Sequence, residues 1–289
     1  MNTILFLDGS PISLFLLKLI QKSKFFIIKK IITSTNINKF DKLIIKNNIS
    51  IFKTNFKKKS KNINLSNYDI GFSYYDFKIP KYVLDTIKNG GINFHPSYLP
   101  FNRGRHSTFW GIVKNNPLGA SAHWLNSNFD DGEIIYQKKL TKCKDQSAKI
   151  IYNRQLDLLK KVIINTISLI KNNKFVKKKQ NHKQATYHFA KDISECISFK
   201  INSSINNIKL SRIIRGTCFN NKTGIYINES NNKFLINSKY IFKKFYKNKK
   251  YNIKLKNLFG NLYDKKKIKF TIYLNKKKII VNSTAHILS

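Results

Sequence analysis

The chain has 289 residues, and its 55 lysines and arginines against 14 aspartates and glutamates give a formal charge of +41. A hydrophobic fraction of 42% argues against a disordered chain and suffices for one large or two modest domains. A strongly basic protein attracts polyanions, but lysine is spread over the whole chain. A general lysine bias and a functional basic surface therefore both stay open.

The first half of the chain alternates short apolar segments with amphipathic ones. The pattern predicts strands over residues 3–7, 25–32, 49–52 and 69–75, and helices that begin at Ser10-Pro11 or cover residues 40–45 and 80–87. Residues 53–67 are rich in lysine and asparagine and are interpreted as a solvated loop. Strands that alternate with helices imply right-handed crossovers. The expected fold is therefore α/β, with a doubly wound and mostly parallel sheet.

The second half changes its pattern near residue 186. Strands over residues 120–125 and 134–136 are followed by a long amphipathic helix over residues 147–170 and a basic segment over residues 171–183. Further on, short strands are predicted over residues 213–215, 224–227, 234–236 and 269–274, with asparagine-rich turns. We therefore expect a first domain over residues 1–183 and a small β-rich C-terminal domain over residues 184–289.

Several classes of protein lack their sequence signals here. The apolar N-terminus is interrupted by Asp8-Gly9-Ser10-Pro11 and is interpreted as a strand and helix rather than a signal peptide. No apolar run approaches the roughly 20 residues of a membrane span. The three scattered cysteines indicate free thiols, and no nucleotide-cradling glycine loop, nucleophile elbow or zinc-ligand spacing is present. A cytoplasmic protein without a membrane partner or a metal is expected.

The residues most indicative of chemistry are an amide, an imidazole and a carboxylate. Asn93 and His95 are two positions apart at the end of a short apolar strand, so their side chains leave the same face about 6–7 Å apart. Asp130 follows in a tight turn, Phe129-Asp130-Asp131-Gly132. An oxyanion donor, an acid–base group and an orienting carboxylate at the ends of strands are the equipment for acyl transfer. A histidine or asparagine alone would more often be structural.

The segments around these residues resemble the formyltransferases that use 10-formyltetrahydrofolate. The matching segments are Gly91-Ile92-Asn93-Phe94-His95-Pro96-Ser97-Tyr98-Leu99-Pro100, Asn102-Arg103-Gly104, Leu118-Gly119-Ala120-Ser121-Ala122-His123-Trp124 and Phe129-Asp130-Asp131-Gly132-Glu133-Ile134-Ile135. The resemblance implies that the catalytic triad of the family falls on Asn93, His95 and Asp130. It differs at Asp131, where the family usually has threonine, and at Asn126-Ser127-Asn128, where Asp-Glu-Gly is typical.

The resemblance also implies ligands and their binding residues. The folate is expected beside Phe72, Ser73, Tyr74, Phe129 and Asp131. The acceptor is expected beside Ser97, Tyr98, Asn102, Arg103 and His106. The reaction needs no metal.

The acceptor is the least determined ligand. Residues 105–110, Arg105-His106-Ser107-Thr108-Phe109-Trp110, are closer to sugar N-formyltransferases, which implies a nucleotide-linked amino sugar. Formylation of methionyl-tRNA is the alternative, and the charge of +41 would then attract RNA. Glycinamide ribonucleotide formylation is disfavoured because that branch usually lacks an added β domain. A non-catalytic basic binding module and a homodimer also stay open.

Overall fold

The computed structural model of the chain describes residues 1–37, 40, 44–45, 47–56, 63–143, 146–200, 207–219, 224–229, 232–237, 268–274, 277–283 and 285–287. The strands are β1 Asn2–Leu7, β2 Ile27–Thr33, β3 Ser50–Lys53, β4 Ile70–Tyr74, β5 Gly91–His95, β6 Arg103–Gly104, β7 Gly119–Trp124, β8 Ile134–Lys139, β9 Tyr187–His188, β10 Ser198–Lys200, β11 Gly224–Glu229, β12 Asn232–Asn237, β13 Ile268–Leu274, β14 Lys277–Ser283 and β15 Ala285–Ile287. The helices are α1 Pro11–Lys22, α2 Lys81–Leu84, α3 Ser107–Lys114, α4 Ala148–Lys171, α5 Asp192–Cys196 and α6 Asn207–Thr217, with a 3-10 turn at His182–Gln184.

Within the described residues, seven strands form one sheet in the order β3-β2-β1-β4-β5-β7-β8. The first five strands in this order pair in parallel, whereas β7 pairs antiparallel with β5 and with β8. The prediction of a mostly parallel α/β sheet is therefore confirmed. The exception matters for the site, because antiparallel pairing places residues of β7 directly opposite residues of β5.

The alternation of side chains along β1 divides the core between the two faces of the sheet. Leu5 and Leu7 belong to a cluster that includes residues of α1 and α4, and Ile4 and Phe6 belong to a second cluster that includes residues of α2. All four β1 side chains have no exposed surface. A strand buried on both faces in this way is typical of a parallel sheet covered by helices.

The helix α1 begins as the sequence predicts. Ser10 is its N-cap and accepts a hydrogen bond from the Ser13 N–H through its side chain, and Pro11 occupies the first turn. The helix predicted over residues 147–170 is α4, so that prediction is also confirmed. The predicted helix over residues 40–45 and the predicted loop over residues 53–67 lie partly outside the described residues.

One predicted strand is wrong. Residues 213–215 lie inside the helix α6, where Leu210, Ile213, Ile214 and Thr217 are buried at a helical spacing. The short apolar run at Ile213 and Ile214 does not by itself distinguish a strand from a buried helix. The predicted strands over residues 224–227, 234–236 and 269–274 correspond to β11, β12 and β13.

The chain divides into two compact units by its described contacts. The first comprises Met1–Gly104, Pro117–Leu140 and Arg154–Tyr187, and the second comprises Arg105–Asn116, Thr141–Asn153 and His188–Ser289. In the second unit, the described strands form a sheet in the order β10-β11-β12-β15 and a pair, β13-β14. The domain boundary between residues 183 and 184 stays a prediction, as does a separate β-rich domain. Among the described helices, none has the length and apolar character needed to cross a membrane.

Two neighbouring isoleucines of α4 test the packing of the first unit. Ile163 has no exposed surface and belongs to the core, whereas Ile164 is 47% exposed. We expect Ile163→Ala to lower the free energy of unfolding by about 2–5 kcal/mol, because it leaves a cavity. The matched control Ile164→Ala should change it by less than about 1 kcal/mol. Urea unfolding of both variants measures the difference, and equal losses would contradict the placement of α4.

Candidate active site

Two adjacent strands place an amide and two imidazoles on one face of the sheet. Asn93 and His95 are two residues apart on β5, so their side chains share a face. The antiparallel register between β5 and β7 sets His123 opposite Asn93 and Ser121 opposite His95. Asn93 Nδ2 lies 3.2 Å from His123 Nε2 as a result. A second histidine therefore accompanies the pair that the sequence predicts.

Asp130 brings a carboxylate to these groups from the turn between β7 and β8. Its side chain is only 9% exposed. Oδ1 accepts a 3.2 Å hydrogen bond from Asn93 Nδ2, and Oδ2 accepts a 2.8 Å hydrogen bond from the Gly104 N–H. Oδ2 also lies 3.7 Å from His95 Nε2. The structure thus brings the three predicted residues together around one buried carboxylate, while their catalytic roles stay predictions.

The turn that carries Asp130 has an unusual backbone. Asp130 has a φ of +50°, in the left-handed region that costs a residue other than glycine roughly 1–2 kcal/mol. Two residues later, a Cβ at Gly132 would lie only 1.8 Å from the backbone oxygen of Trp124. The glycine of the Asp-Asp-Gly turn is therefore required by close backbone contact. This contact brings the turn against the end of β7.

His123 is a site residue that sequence reasoning missed. Its side chain is 1% exposed, and its Nε2 lies 3.4 Å from Asp130 Oδ1. Its Nδ1 lies 2.8 Å from the Trp124 carbonyl oxygen, to which it donates a hydrogen bond. A neutral His123 then accepts a hydrogen bond from Asn93 through Nε2. The signal that could have identified it is the alternation along β7, which puts His123 on the same face as Ser121.

Burial and neighbouring charges set the protonation states of the site. Burial lowers the pKa of His95 below its ordinary value of 6.5, although Asp130 opposes this shift. His95 Nε2 lies 3.3 Å from the Asn102 carbonyl oxygen, so the neutral imidazole carries its proton on Nε2. Burial raises the pKa of Asp130, but His95, His123 and the Gly104 N–H outweigh it and hold that pKa well below its usual range. At neutral pH the site therefore contains a carboxylate beside a neutral imidazole.

The segment after β5 is held in place by buried polar side chains. Gln155 on α4 has no exposed surface and donates a 2.7 Å hydrogen bond to the Pro96 carbonyl oxygen. Ser121 Oγ accepts a 3.1 Å hydrogen bond from the Leu99 N–H and donates a 2.7 Å one to the Ser97 carbonyl oxygen. These contacts fix the backbone directly after His95 and thus support the position of its imidazole.

The residues predicted to contact folate lie in different environments. Phe72 has no exposed surface and belongs to the core. Ser73 is 2% exposed and is the register partner of Asn93 across β4 and β5. Tyr74 is half-buried, and Phe129, next to Asp130, is 41% exposed. Their assignment to folate stays a prediction.

The residues predicted to contact the acceptor are mostly buried. Ser97 is 1% exposed, and its Oγ donates a 2.6 Å hydrogen bond to the Phe101 carbonyl oxygen. Asn102 has no exposed surface, and its N–H donates a 2.7 Å hydrogen bond to Thr186 Oγ1. Tyr98 is half-buried. The role of each in acceptor binding stays a prediction.

The remaining predicted residues are an ion pair and a histidine. Arg103 is 7% exposed, and its Nη1 lies 2.5 Å from Asp131 Oδ1. Asp131 Oδ1 accepts no hydrogen bond of good geometry, so this contact is a charge pair. His106 is exposed and lies in the second compact unit, at the N-cap of α3, with a φ of +58°.

Gln180 is a second residue that the sequence did not reveal. It is 6% exposed, and its Nε2 donates a 2.9 Å hydrogen bond to the Asp130 carbonyl oxygen. The two residues are 50 positions apart, and Gln180 lies in a segment that the sequence marks only as polar and basic. No local pattern therefore indicates this contact.

The pKa of His95 can be measured directly. We expect the His95 imidazole to titrate with a midpoint below 6.5, because burial disfavours its charged form. In Asp130→Asn the midpoint should fall further, because the carboxylate that favours the imidazolium is removed. Nitrogen-15 NMR titration, with the signal assigned by its loss in His95→Gln, gives both values. A midpoint above 6.5, or a rise in Asp130→Asn, would contradict the described environment.

Part of the chain is similar to a family of known proteins. Residues 71–167 match the formyl transferase family model. Methionyl-tRNA formyltransferase of Alkaliphilus oremlandii is 31% identical over 142 residues, which are 48% of this chain and 44% of that protein. GDP-perosamine N-formyltransferase of Brucella melitensis is 34% identical over 84 residues, which are 29% of this chain and 32% of that protein. The matches thus span less than half the length of these curated relatives.

Solved structures share the fold over a longer range. A 4-N formyltransferase from Francisella tularensis has a TM-score of 0.68 and 22% identity, over 80% of this chain and 94% of that one. The N-formyltransferase from Helicobacter canadensis, in complex with folinic acid and dTDP-3-aminofucose, has a TM-score of 0.61 and 19% identity, over 99% of both chains. Asn93, His95 and Asp130 all lie within the matched residues 71–167. The chain is therefore similar to formyl transferases over residues 71–167, and it shares its fold with the solved N-formyltransferases.

Proposed function

We propose that this chain transfers the formyl group of 10-formyltetrahydrofolate to a primary amine of a nucleotide-linked amino sugar. The observation that carries the proposal is the convergence of Asn93 and His95 on the buried carboxylate of Asp130, at 3.2 and 3.7 Å. These are groups suited to acyl transfer to an amine, and they lie inside the residues that match the formyl transferase family model.

In the proposed mechanism, the neutral amine of the acceptor attacks the formyl carbon and forms a tetrahedral adduct. Asn93 stabilises the negative oxygen of this adduct by hydrogen bonding. The Nε2–H of His95 does the same when it exchanges the Asn102 carbonyl for the adduct oxygen as its acceptor. Asp130, ionised because its pKa is held low, accepts a proton from the attacking nitrogen, directly or through a water. The bond between the formyl carbon and N10 then breaks, and the proton is returned to N10 of the leaving tetrahydrofolate.

The amide of Asn93 must be available to the reacting oxygen. Both hydrogens of its Nδ2 have acceptors in the protein, Asp130 Oδ1 and His123 Nε2, each at 3.2 Å. We propose that the adduct oxygen replaces His123 as acceptor, while the hydrogen bond to Asp130 keeps the amide in place. Long catalytic hydrogen bonds that tighten only with substrate are usual in free enzymes.

The assignment of the co-substrate and the acceptor draws on the relatives. The Helicobacter canadensis structure contains folinic acid and a dTDP-linked amino sugar, and the Brucella relative is named for a GDP-linked one. Residues 105–110 resemble the sugar branch as well. The methionyl-tRNA formyltransferase relative and the charge of +41 favour a second candidate, formylation of methionyl-tRNA. A cytoplasmic location and a homodimer stay predictions.

The acceptor is tested by a parallel assay. We expect release of tetrahydrofolate from 10-formyltetrahydrofolate when dTDP- or GDP-linked 4-amino sugars are offered, and none with methionyl-tRNA. Turnover with the tRNA alone, falling steeply as salt rises, would instead support the second candidate, since an RNA interface involves many phosphates. Absence of turnover with every acceptor would contradict the proposed function.

The roles of Asn93 and His95 are tested by truncation. We expect Asn93→Ala to lower kcat by about 10²–10³-fold and His95→Ala by about 10²–10⁴-fold, because each removes a group that acts in the transition state. Asn89→Ala, at an exposed position, is the matched control and should turn over normally. Circular dichroism verifies folding. Normal turnover in a folded His95→Ala protein would exclude His95 from the chemistry.

A further inference from the structure

The buried side-chain amide of Gln180 binds the backbone of the Asp130 turn. Gln180 Nε2 donates hydrogen bonds to two carbonyl oxygens of the turn, that of Asp130 at 2.9 Å and that of Gly132 at 2.7 Å. These carbonyls belong to the residues directly before and directly after Asp131. With both its ends fixed, the turn retains the left-handed backbone of Asp130, whose φ is +50°.

Gln180 is itself oriented by a buried guanidinium. Its Oε1 accepts hydrogen bonds from Arg103 Nε at 3.2 Å and from Arg103 Nη2 at 2.8 Å. Because Oε1 accepts from Arg103, Nε2 must face the turn, and the amide has one orientation. Arg103 Nη1 lies 2.5 Å from Asp131 Oδ1. The chain of contacts therefore returns to the turn, through the residue next to Asp130.

Each of the two residues of β6 contacts one aspartate of the turn. The Arg103 side chain pairs with Asp131, and the next residue, Gly104, donates its backbone N–H to Asp130 Oδ2 at 2.8 Å. The Arg103 N–H donates a 2.9 Å hydrogen bond to the Thr186 carbonyl oxygen, which fixes β6 in turn. A shift of Arg103 would consequently move the N–H that binds the carboxylate of Asp130.

The pairing of charges gives a reason for Arg103 at this position. Asp130 and Asp131 are neighbours, and their side chains are only 9% and 14% exposed. Two like charges so close repel each other, and Arg103 places a positive charge against one of them. The positive charge of Arg103 compensates the negative charge of Asp131, while the imidazoles and N–H groups of the site surround Asp130. His182 also contacts Asp131. Its side chain is 68% exposed, and its Nδ1 lies 3.3 Å from Asp131 Oδ1.

We propose that Arg103, Gln180 and Asp131, termed the turn lock, are positioning residues that fix the Asp130 backbone and so direct its carboxylate toward the reacting amine. The proposal rests on the proposed function, which gives Asp130 its role. It differs from the roles that the family resemblance implies, in which Arg103 contacts the acceptor and Asp131 contacts folate. A positioning role predicts a lower kcat with a nearly unchanged KM. A ligand-binding role predicts a raised KM with an unchanged kcat.

The principal variant is Gln180→Met, which keeps the length of the side chain and removes all its hydrogen bonds. We expect kcat to fall about 100-fold, as for a reacting group displaced by about 1 Å, with KM for both substrates changed less than about twofold. The exposed Gln184→Met, four residues away in the same segment, is the matched control and should behave as the wild type. An unchanged kcat in Gln180→Met would overturn the proposal.

Two further variants separate positioning from ligand binding. Asp131→Asn removes the charge that Arg103 compensates, and Arg103→Lys keeps the charge but loses the forked contact with Gln180. Both should lower kcat more than they raise KM, and they serve if Gln180→Met does not fold. The contrary result is an unchanged kcat with a raised KM, for folate in Asp131→Asn or for the acceptor in Arg103→Lys. It would show that these residues bind ligands and would overturn the proposal.

The titration of His95 gives a readout independent of turnover. If the lock directs Asp130, then Gln180→Met should move the His95 midpoint in the same direction as Asp130→Asn, because the displaced carboxylate no longer favours the imidazolium. An unchanged midpoint together with a lower kcat would indicate a merely structural role and overturn the proposal. This readout also separates the two proposals. A wild type that transfers no formyl group to any acceptor refutes the proposed function, while the midpoint still decides whether the lock orients Asp130.

Discussion

The burial of a single carboxylate organises the described site. A carboxylate taken out of water is stable in its ionised form only if hydrogen bonds and positive charge replace its hydration. Asp130 accepts hydrogen bonds from the Gly104 N–H and the Asn93 amide, and the imidazoles of His95 and His123 lie within 3.7 Å of its oxygens. These neighbours outweigh its burial, so its pKa lies well below its usual range. The groups that surround Asp130 include those that act in the proposed formyl transfer, so the ionisation of Asp130 and the proposed chemistry depend on one cluster.

The architecture explains how distant segments reach this carboxylate. The parallel part of the sheet ends at β5, and the reversal at β7 sets His123 directly opposite Asn93. The turn between β7 and β8 then returns Asp130 to the same face, where it is within hydrogen-bonding distance of Asn93.

The sequence predicts those parts of the site that local patterns encode. Asn93 and His95 are recognisable because strand alternation places both on one face. Asp130 is recognisable because it lies two residues before the glycine of a tight turn, where the family resemblance implies a carboxylate. The alternation along β7 places His123 on the face of Ser121, but its position opposite Asn93 follows only from the antiparallel pairing of β7 with β5. Gln180 is 50 residues from its partner Asp130, so its role depends entirely on the tertiary fold. The strand predicted at residues 213–215 is instead part of a helix. Two adjacent apolar residues do not show a helical period, which appears only when the burial of Leu210 and Thr217 is known.

The most direct measurement is single-turnover formyl transfer by Asp130→Asn, combined with the affinity for 10-formyltetrahydrofolate. Asparagine keeps the shape of the side chain and removes its charge. We predict a rate at least about 100-fold below that of the wild type, with an unchanged dissociation constant for the folate. A near-normal rate of formyl transfer in a folded Asp130→Asn protein would contradict the central role of this carboxylate. Asp131 would then be the candidate for that role.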